Sequence, residues 1–198
     1  MPRPDVSEER KAQILDAAAI VFSQQGFADT RMDDIVKQSG LSKGALYWYF
    51  KSKDEIILAL MYRFFDQDLD NLDHLIDGNE SVREALLHYI KGLVSVFADM
   101  QTLIPLVYDF YSSAIRDADK REFFKTYFQQ YQTRIREIIN HGIVVGEFKP
   151  TDVDAFTLTI TALIEGLFLL NTMGVNMPDL SQQFITSVSF LLDSIQVE

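Results

Sequence analysis

The chain has 198 residues, 47% of them hydrophobic and 24% charged, values ordinary for a folded globular protein and contrary to intrinsic disorder. It contains no cysteine, which excludes disulfide frameworks, thiolate zinc sites and cysteine nucleophiles together. The net charge of -11 argues against a broad electrostatic grip on a polyanion, because phosphate backbones reward basic surfaces.

That charge is unevenly spread. Residues 1–54 hold eight Lys/Arg and eight Asp/Glu, so the whole acidic excess lies beyond them. Within Thr30–Lys53 five bases face two acids, a local +3. The N-terminal MPRPDVSEERK is charged where a signal peptide needs an apolar stretch, and Ile160–Leu170, the longest apolar run, is interrupted by Glu165. Neither secretion nor membrane spanning is expected. The absence of cysteine fits a reducing, cytoplasmic location.

Apolar residues recur at three and four residue spacing nearly throughout, without sustained alternation, which predicts an all-α fold. The first helix starts at Ser7, an N-cap followed by two glutamates, and buries Ile14, Leu15, Ala18, Val21 and Phe22. Gly26 ends it, with Phe27 folding back on Phe22. A second helix opens at Thr30 with Asp33 as its capping-box partner, buries Ile35 and Val36, and stops at Gly40. Ser42 caps a third helix at once. So short a connection, with glycine in it, makes the second and third helices cross steeply, as in a helix-turn-helix.

On the third helix Lys43, Gly44, Tyr47 and Trp48 share an outward arc of roughly 140°, while Leu46 and Phe50 fall on the other side. Lys43 can reach a base edge or a phosphate, Gly44 lets backbone approach a groove, and tyrosine hydroxyls suit phosphate oxygens. An aromatic cluster alone would read as core. Beside Lys43, Lys51, Lys53 and the glycine turn it reads as a DNA-facing surface.

Ser52 and Glu55 form a further capping box that opens a long fourth helix, expected to run to about Asp77. Its acid-rich end, Asp66, Asp68, Asp70, Asp73 and Asp77, is expected to be mainly a solvated face, with Phe65, Leu69, Leu72 and Ile76 turned inward. Four or five helices follow, about nine in all. Pro105 sits in the first turn of one, where its missing N–H costs little, and Thr151 with Asp154 signals another start. The last two, about Asp152–Met173 and Ser181–Ile195, are apolar on more than one side. Phe184, Val188, Leu191 and Ile195 alternate spacings of four and three, a seam suited to a helix of a second copy.

From Ile14 to Ile57 the ordered set of a Gly-Phe helix stop, T-R-M-D-D-I and S-G-L-S-K-G-A-L-Y-W-Y-F-K-S-K-D-E resembles the TetR family of bacterial transcriptional regulators. The resemblance implies a helix-turn-helix DNA-binding domain over 1–51 and a helical effector-binding and dimerisation domain over 52–198. It further implies a homodimeric, ligand-responsive regulator, most simply a repressor, that binds a palindromic double-stranded DNA operator without a cofactor. Lys43 and Gly44 match base-contacting positions, and Tyr47, Tyr49 and Lys53 match phosphate-contacting ones. Thr30 and Arg31 match a backbone clamp at the second helix's N-terminus. Trp48 departs from the usual smaller tyrosine and either touches thymine methyls or shields the head's core.

By the same resemblance the body encloses a pocket for a small hydrophobic or cationic effector, and the last two helices pair with those of a second copy as a four-helix bundle. The pocket candidates are Phe97, Met100, Tyr108, Asp109, Tyr111, Phe124, Tyr127, Phe128 and Tyr131, although a stripe of aromatics at helical spacing is first of all core. Glu165, alone in an apolar run, either meets a cationic ligand or lies at the dimer seam or a solvated edge, the latter preferred.

The rival classes are a metal-binding enzyme and a helical adaptor without DNA-binding function. Asp70/His74, Glu84/His88 and Glu137/His141 each share a helix face, but the i, i+3 Glu-x-x-His motif of di-metal bundles is missing at these histidines. Ordinary i, i+4 surface pairs account for them. No serine or lysine arrangement suggests covalent catalysis, so no catalytic or metal residue is assigned.

Overall fold

The computed structural model describes residues 6–75, 80–99, 103–175 and 179–197. Among these lie nine α-helices: α1 (Val6–Asp29), α2 (Met32–Ser39), α3 (Lys43–Tyr49), α4 (Lys53–Asp73), α5 (Val82–Asp99), α6 (Ile104–Ala114), α7 (Ala118–Val144), α8 (Val153–Thr172) and α9 (Leu180–Asp193). The described residues contain no strand, only an isolated antiparallel bridge between Phe148 and Gln196. The all-α expectation holds.

The glycine punctuation works as the sequence implies. Gly26 adopts φ 77 within the last turns of α1, and Phe22 and Phe27 close over it with ring centroids 5.4 Å apart. Gly40 ends α2 in the left-handed region, and Ser42 then caps α3 by accepting from the Ala45 N–H at 3.1 Å. Three other caps sit one residue away from their expected places. The hydroxyl of Thr30 turns inward to donate to the Gly26 carbonyl at 2.7 Å, so Arg31 becomes the cap residue and Asp34, not Asp33, accepts from its N–H at 2.9 Å. At α4, Ser52 accepts from Glu55 as expected, but Glu55 reaches back to the Lys51 N–H at 2.6 Å. At α8, Asp152 caps the helix and leaves Asp154 to pair with Arg136 at 2.7 Å. A charged carboxylate is a better acceptor than a hydroxyl, and a neighbouring one takes the free N–H.

The chain divides into two compact units, 1–66 with 101–116 and 67–100 with 117–198. This differs from the expected boundary at residues 51 and 52. The first half of α4 is tied to α1, Arg63 pairing with Asp16 at 2.8 Å and Lys53 reaching the carbonyls of Phe27, Ala28 and Thr30. In the first unit Ile14, Ala18, Ile35, Leu46 and Ile56 are fully buried. Helix α6 belongs to this unit too and touches α1. The described part of α4 ends at Asp73, and the expected continuation over Ile76 and Asp77 falls outside the described residues.

The second unit has its core in Leu86, Ile90, Ile135, Ile139, Ile160 and Phe184. Its chain turn after α7 is fixed by close packing: a Cβ at Gly142 would overlap the ring of Phe148, which is itself buried. The same turn aims Glu147 at the start of α5, where its two oxygens accept from the N–H groups of Val82 and Arg83, each at 2.8 Å. A carboxylate there satisfies orphan donors at the positive end of the helix.

One expectation is overturned in this unit. Phe184 and Val188 are 0% exposed and Ile195 3%, so these residues belong to the chain's own core and cannot form a seam with another copy; only Leu191 keeps partial exposure. Helix α9 packs on α5 and α8 through that side. On the α8 segment Leu158, Leu169, Leu170 and Met173 are left exposed, and on α9 Phe190. Helix α8 is long and apolar enough by length and composition alone to cross a membrane, despite Glu165; in this fold Phe156, Ile160, Ile164 and Phe168 are buried in the unit's core.

Candidate nucleic-acid interface

Helix α3 presents one face outward and one inward. Leu46 is 0% exposed and Phe50 is buried, whereas Lys43 and Gly44 are exposed and Tyr47 and Tyr49 half-buried. Trp48 is 69% exposed, packed edge-on against Tyr49 at 4.6 Å between ring centroids. It does not shield the core; its indole is offered to whatever meets this face. A Cβ added at Gly44 would meet nothing within 4 Å, and its backbone needs no positive φ. The fold of the head therefore places no demand for glycine there, and the open space is what a closely approaching second body would use.

The bases of the same surface are already engaged. Lys43 Nζ lies 2.6 Å from Asp33 Oδ1 and 5.9 Å from the Tyr47 ring centroid. Its hydrogen bond to Asp33, reinforced by that charge, holds its pKa above the usual lysine value. Both partners are exposed and screened by water, so a phosphate or a guanine edge can replace Asp33 at small cost. Lys51 Nζ bonds the Tyr47 carbonyl at 2.5 Å, closing the C-terminal end of α3. Lys53 directs its ammonium at the carbonyls of Phe27, Ala28 and Thr30 at 2.6, 3.0 and 3.1 Å, and stands 4.5 Å from the Phe27 ring centroid.

Three sequence-expected contacts change meaning accordingly. All three N–H donors of Lys53 have acceptors inside the head, so it fastens the α1–α2 turn. Thr30 is only 2% exposed and its hydroxyl is committed to Gly26. The Arg31 N–H is taken by Asp34, whose pKa is lowered chiefly by that bond, so the expected backbone clamp meets a carboxylate already in place. Arg31, Lys43, Gly44, Tyr47, Trp48 and Tyr49 remain as the accessible set.

The effector candidates separate between the units. Tyr108 and Tyr111, with ring centroids 6.0 Å apart, and Asp109 belong to the first unit with α6. In the second, Phe97 packs on Phe168 at 4.1 Å and Phe124 stacks with Phe128 at 6.5 Å. Met100 lies outside the described residues. Tyr127 and Tyr131 join a polar cluster that sequence reading missed, built on Asp68. Far from being solvated, Asp68 is 7% exposed; it accepts from the Tyr89 hydroxyl at 2.7 Å and the Tyr127 hydroxyl at 2.8 Å. Burial raises its pKa against the opposing pull of those two bonds. Half-buried Glu165 acts electrostatically on Tyr127 and Tyr131, which places it on the side of this cluster.

Of the histidine pairs, His88 bonds Glu80 at 2.7 Å, while Glu84 is held by Ser81 at 3.1 Å, so the expected Glu84–His88 pair is replaced. Among the described residues no group of three or more potential ligands is placed to hold a metal ion.

Comparison with known proteins places this geometry. Residues 14–60 match the family model of bacterial regulatory proteins of the tetR family, and residues 85–178 match that of the tetracyclin repressor-like C-terminal domain. The HTH-type transcriptional regulator YfiR of Bacillus subtilis (strain 168), itself uncharacterized, is 31% identical over 144 residues, covering 72% of this chain and 70% of that protein. The HTH-type transcriptional repressor KstR2 of Mycolicibacterium smegmatis is 24% identical over 152 residues, covering 76% and 74%. The crystal structure of a TetR transcription regulator from Haloarcula marismortui superimposes with a TM-score of 0.81 over 96% of this chain and 100% of that one, at 19% identity, and so shares the fold. The helix-turn-helix of α2 and α3, the family match on both sides of α4 and the regulator relatives together make this chain a member of the TetR family, a DNA-binding transcriptional regulator and not an enzyme.

Proposed function

We propose that the protein is a cytoplasmic repressor that binds a palindromic operator as a homodimer and leaves it when a small effector occupies the second unit. The observation that carries the reading is the outward face of α3. Lys43, Gly44, Tyr47 and Trp48 stand on one side of a capped helix, with Leu46 anchoring the other. Lys43 would exchange Asp33 for a base edge, Gly44 would admit the groove wall, and Tyr47 would hold a phosphate. With the excess acid located outside residues 1–54, one head alone would hold DNA weakly. Two heads on half-sites one helical turn apart, about 34–36 Å, would add their contacts.

The exposed apolar side of α8 and α9, with Leu158, Leu169, Leu170, Met173 and Phe190, supports pairing of these helices with a second copy. Release by a ligand requires only that it bind more tightly to the form with the wrong head spacing, and a coupling of about 1–3 kcal/mol is enough for a useful switch. The test is selection of bound duplexes from random sequence. The proposal expects one enriched palindrome, bound in a salt-sensitive manner, with Lys43→Ala losing affinity at particular base pairs and Tyr47→Phe losing it evenly across sequences. Failure to enrich any palindrome sinks it.

A further inference from the structure

Asp68 is a buried carboxylate on which no base among the described residues acts. The groups that act on it are Tyr89 of α5 and Tyr127 and Tyr131 of α7, and Glu165 of α8 acts in turn on those last two, so every one is neutral or acidic. An ionised carboxylate has about four lone-pair sites, and the two tyrosine hydroxyls fill one on each oxygen. Beside it, the Tyr131 hydroxyl is fully buried with the Tyr89 hydroxyl near enough to act on it, yet it makes no hydrogen bond of ordinary geometry to any described residue. Buried polar groups in folded proteins are satisfied as a rule, and those that are not point to a missing partner. Two spare acceptor positions on Asp68 and one on Tyr131 match the three N–H donors of a primary ammonium group. The tyrosine rings around them add the aromatic faces that attract a cation.

From this we infer that Asp68 and Tyr131 form a recognition site for the protonated nitrogen of an apolar organic amine, Tyr89 and Tyr127 holding the carboxylate in place. The inference rests on the reading of the second unit as effector-binding and names the ligand class. Phe97 and Phe168, in ring contact in the same unit, supply surface for an apolar body. A neutral alcohol of equal size offers one donor where the site has room for three, and a quaternary ammonium offers none.

The experiment is calorimetric titration and thermal shift of the full-length protein with n-octylamine and 4-phenylbutylamine, against 1-octanol, 4-phenylbutanol and the N-trimethyl derivatives. The amines are expected to bind and raise Tm, with the alcohols and quaternary compounds at least tenfold weaker. Tyr131→Phe, which removes only the unpartnered hydroxyl, is expected to fold as well as the parent and to lose about tenfold in amine affinity. Asp68→Asn is expected to abolish the preference for amine over alcohol. Equal binding of alcohols and amines, no binding of either amine, or undiminished amine affinity in Tyr131→Phe or Asp68→Asn each overturns the inference. Operator release is measured in parallel. Amine binding through Asp68 with the operator still held keeps the site and removes the effector role, whereas release by neutral ligands alone, unchanged in Asp68→Asn, does the reverse.

Discussion

Lys53 in the first unit and Asp68 in the second are opposite charges on one helix, α4, and each is held by neutral oxygens. Lys53 has an acceptor for each of its three N–H donors, all backbone carbonyls left open where α1 breaks at Gly26. Asp68 uses half of its acceptor capacity on two hydroxyls and sits beside a third hydroxyl that is unsatisfied. A filled charge is a fastener, and a half-filled one is a place where something else can bind. The same accounting of donors and acceptors thus separates a structural residue from a ligand-reading one, without reference to sequence motif.

The largest effect that would break this contrast lies at Lys53. Replacing it with Met keeps the aliphatic stem and abandons three carbonyls, so a loss of about 2–3 kcal/mol is expected in chemical denaturation followed by circular dichroism. A loss below about 0.5 kcal/mol would show that water satisfies the turn and that the ammonium is free for DNA. At Asp68 the expectation concerns pH. Burial raises its folded-state pKa, so the folded chain holds that proton more tightly than the unfolded one. Its contribution to stability is greatest below the ordinary carboxylate value, about 4, and is lost as pH rises from there through the raised value. Asp68→Asn cannot titrate, and the difference in stability between it and the parent is expected to grow in the variant's favour over that window, measured by denaturation at a series of pH values.

Smaller still is Tyr131→Phe, expected to gain up to about 1 kcal/mol without ligand, because an unsatisfied buried hydroxyl is removed. A loss of stability instead would mean that the hydroxyl has a partner after all. The smallest effect belongs to Lys43→Ala, expected to leave the denaturation midpoint unchanged, since its pair with Asp33 is exposed at both ends. Operator affinity, read by titration of the selected duplex, is where that substitution should register.

The helices were legible because glycine and apolar spacing act locally. Gly26, Gly40 and the Leu46–Phe50 stripe each do what their residue types require. Cap register was less legible: Thr30 and Thr151 looked like caps, but whether a hydroxyl turns to a helix N–H or into the core depends on a distant carbonyl or a carboxylate one residue on. The seam of α9 was misread for a different reason. A four-three spacing shows that Phe184, Val188 and Ile195 are buried, and it does not say whether α5 or a second chain does the burying. For Asp68 a signal did exist. It lies three residues after Phe65 and four before Leu72, on the same stripe as Leu69, so its position was apolar by periodicity although its neighbours Asp66 and Asp70 are solvated. What sequence cannot show is that Tyr89 and Tyr127, 21 and 59 residues away, meet it there.

The chain has a single tryptophan, and the fold puts it on the exposed face of α3 with its ring edge against Tyr49. Indole emission shifts and quenches when neighbouring water is exchanged for nucleobases. Excited above the tyrosine absorption band, the unlabelled protein therefore carries one optical reporter, located where operator binding would be felt first. The order in which ligand arrives and DNA departs can be followed from that one residue by rapid mixing.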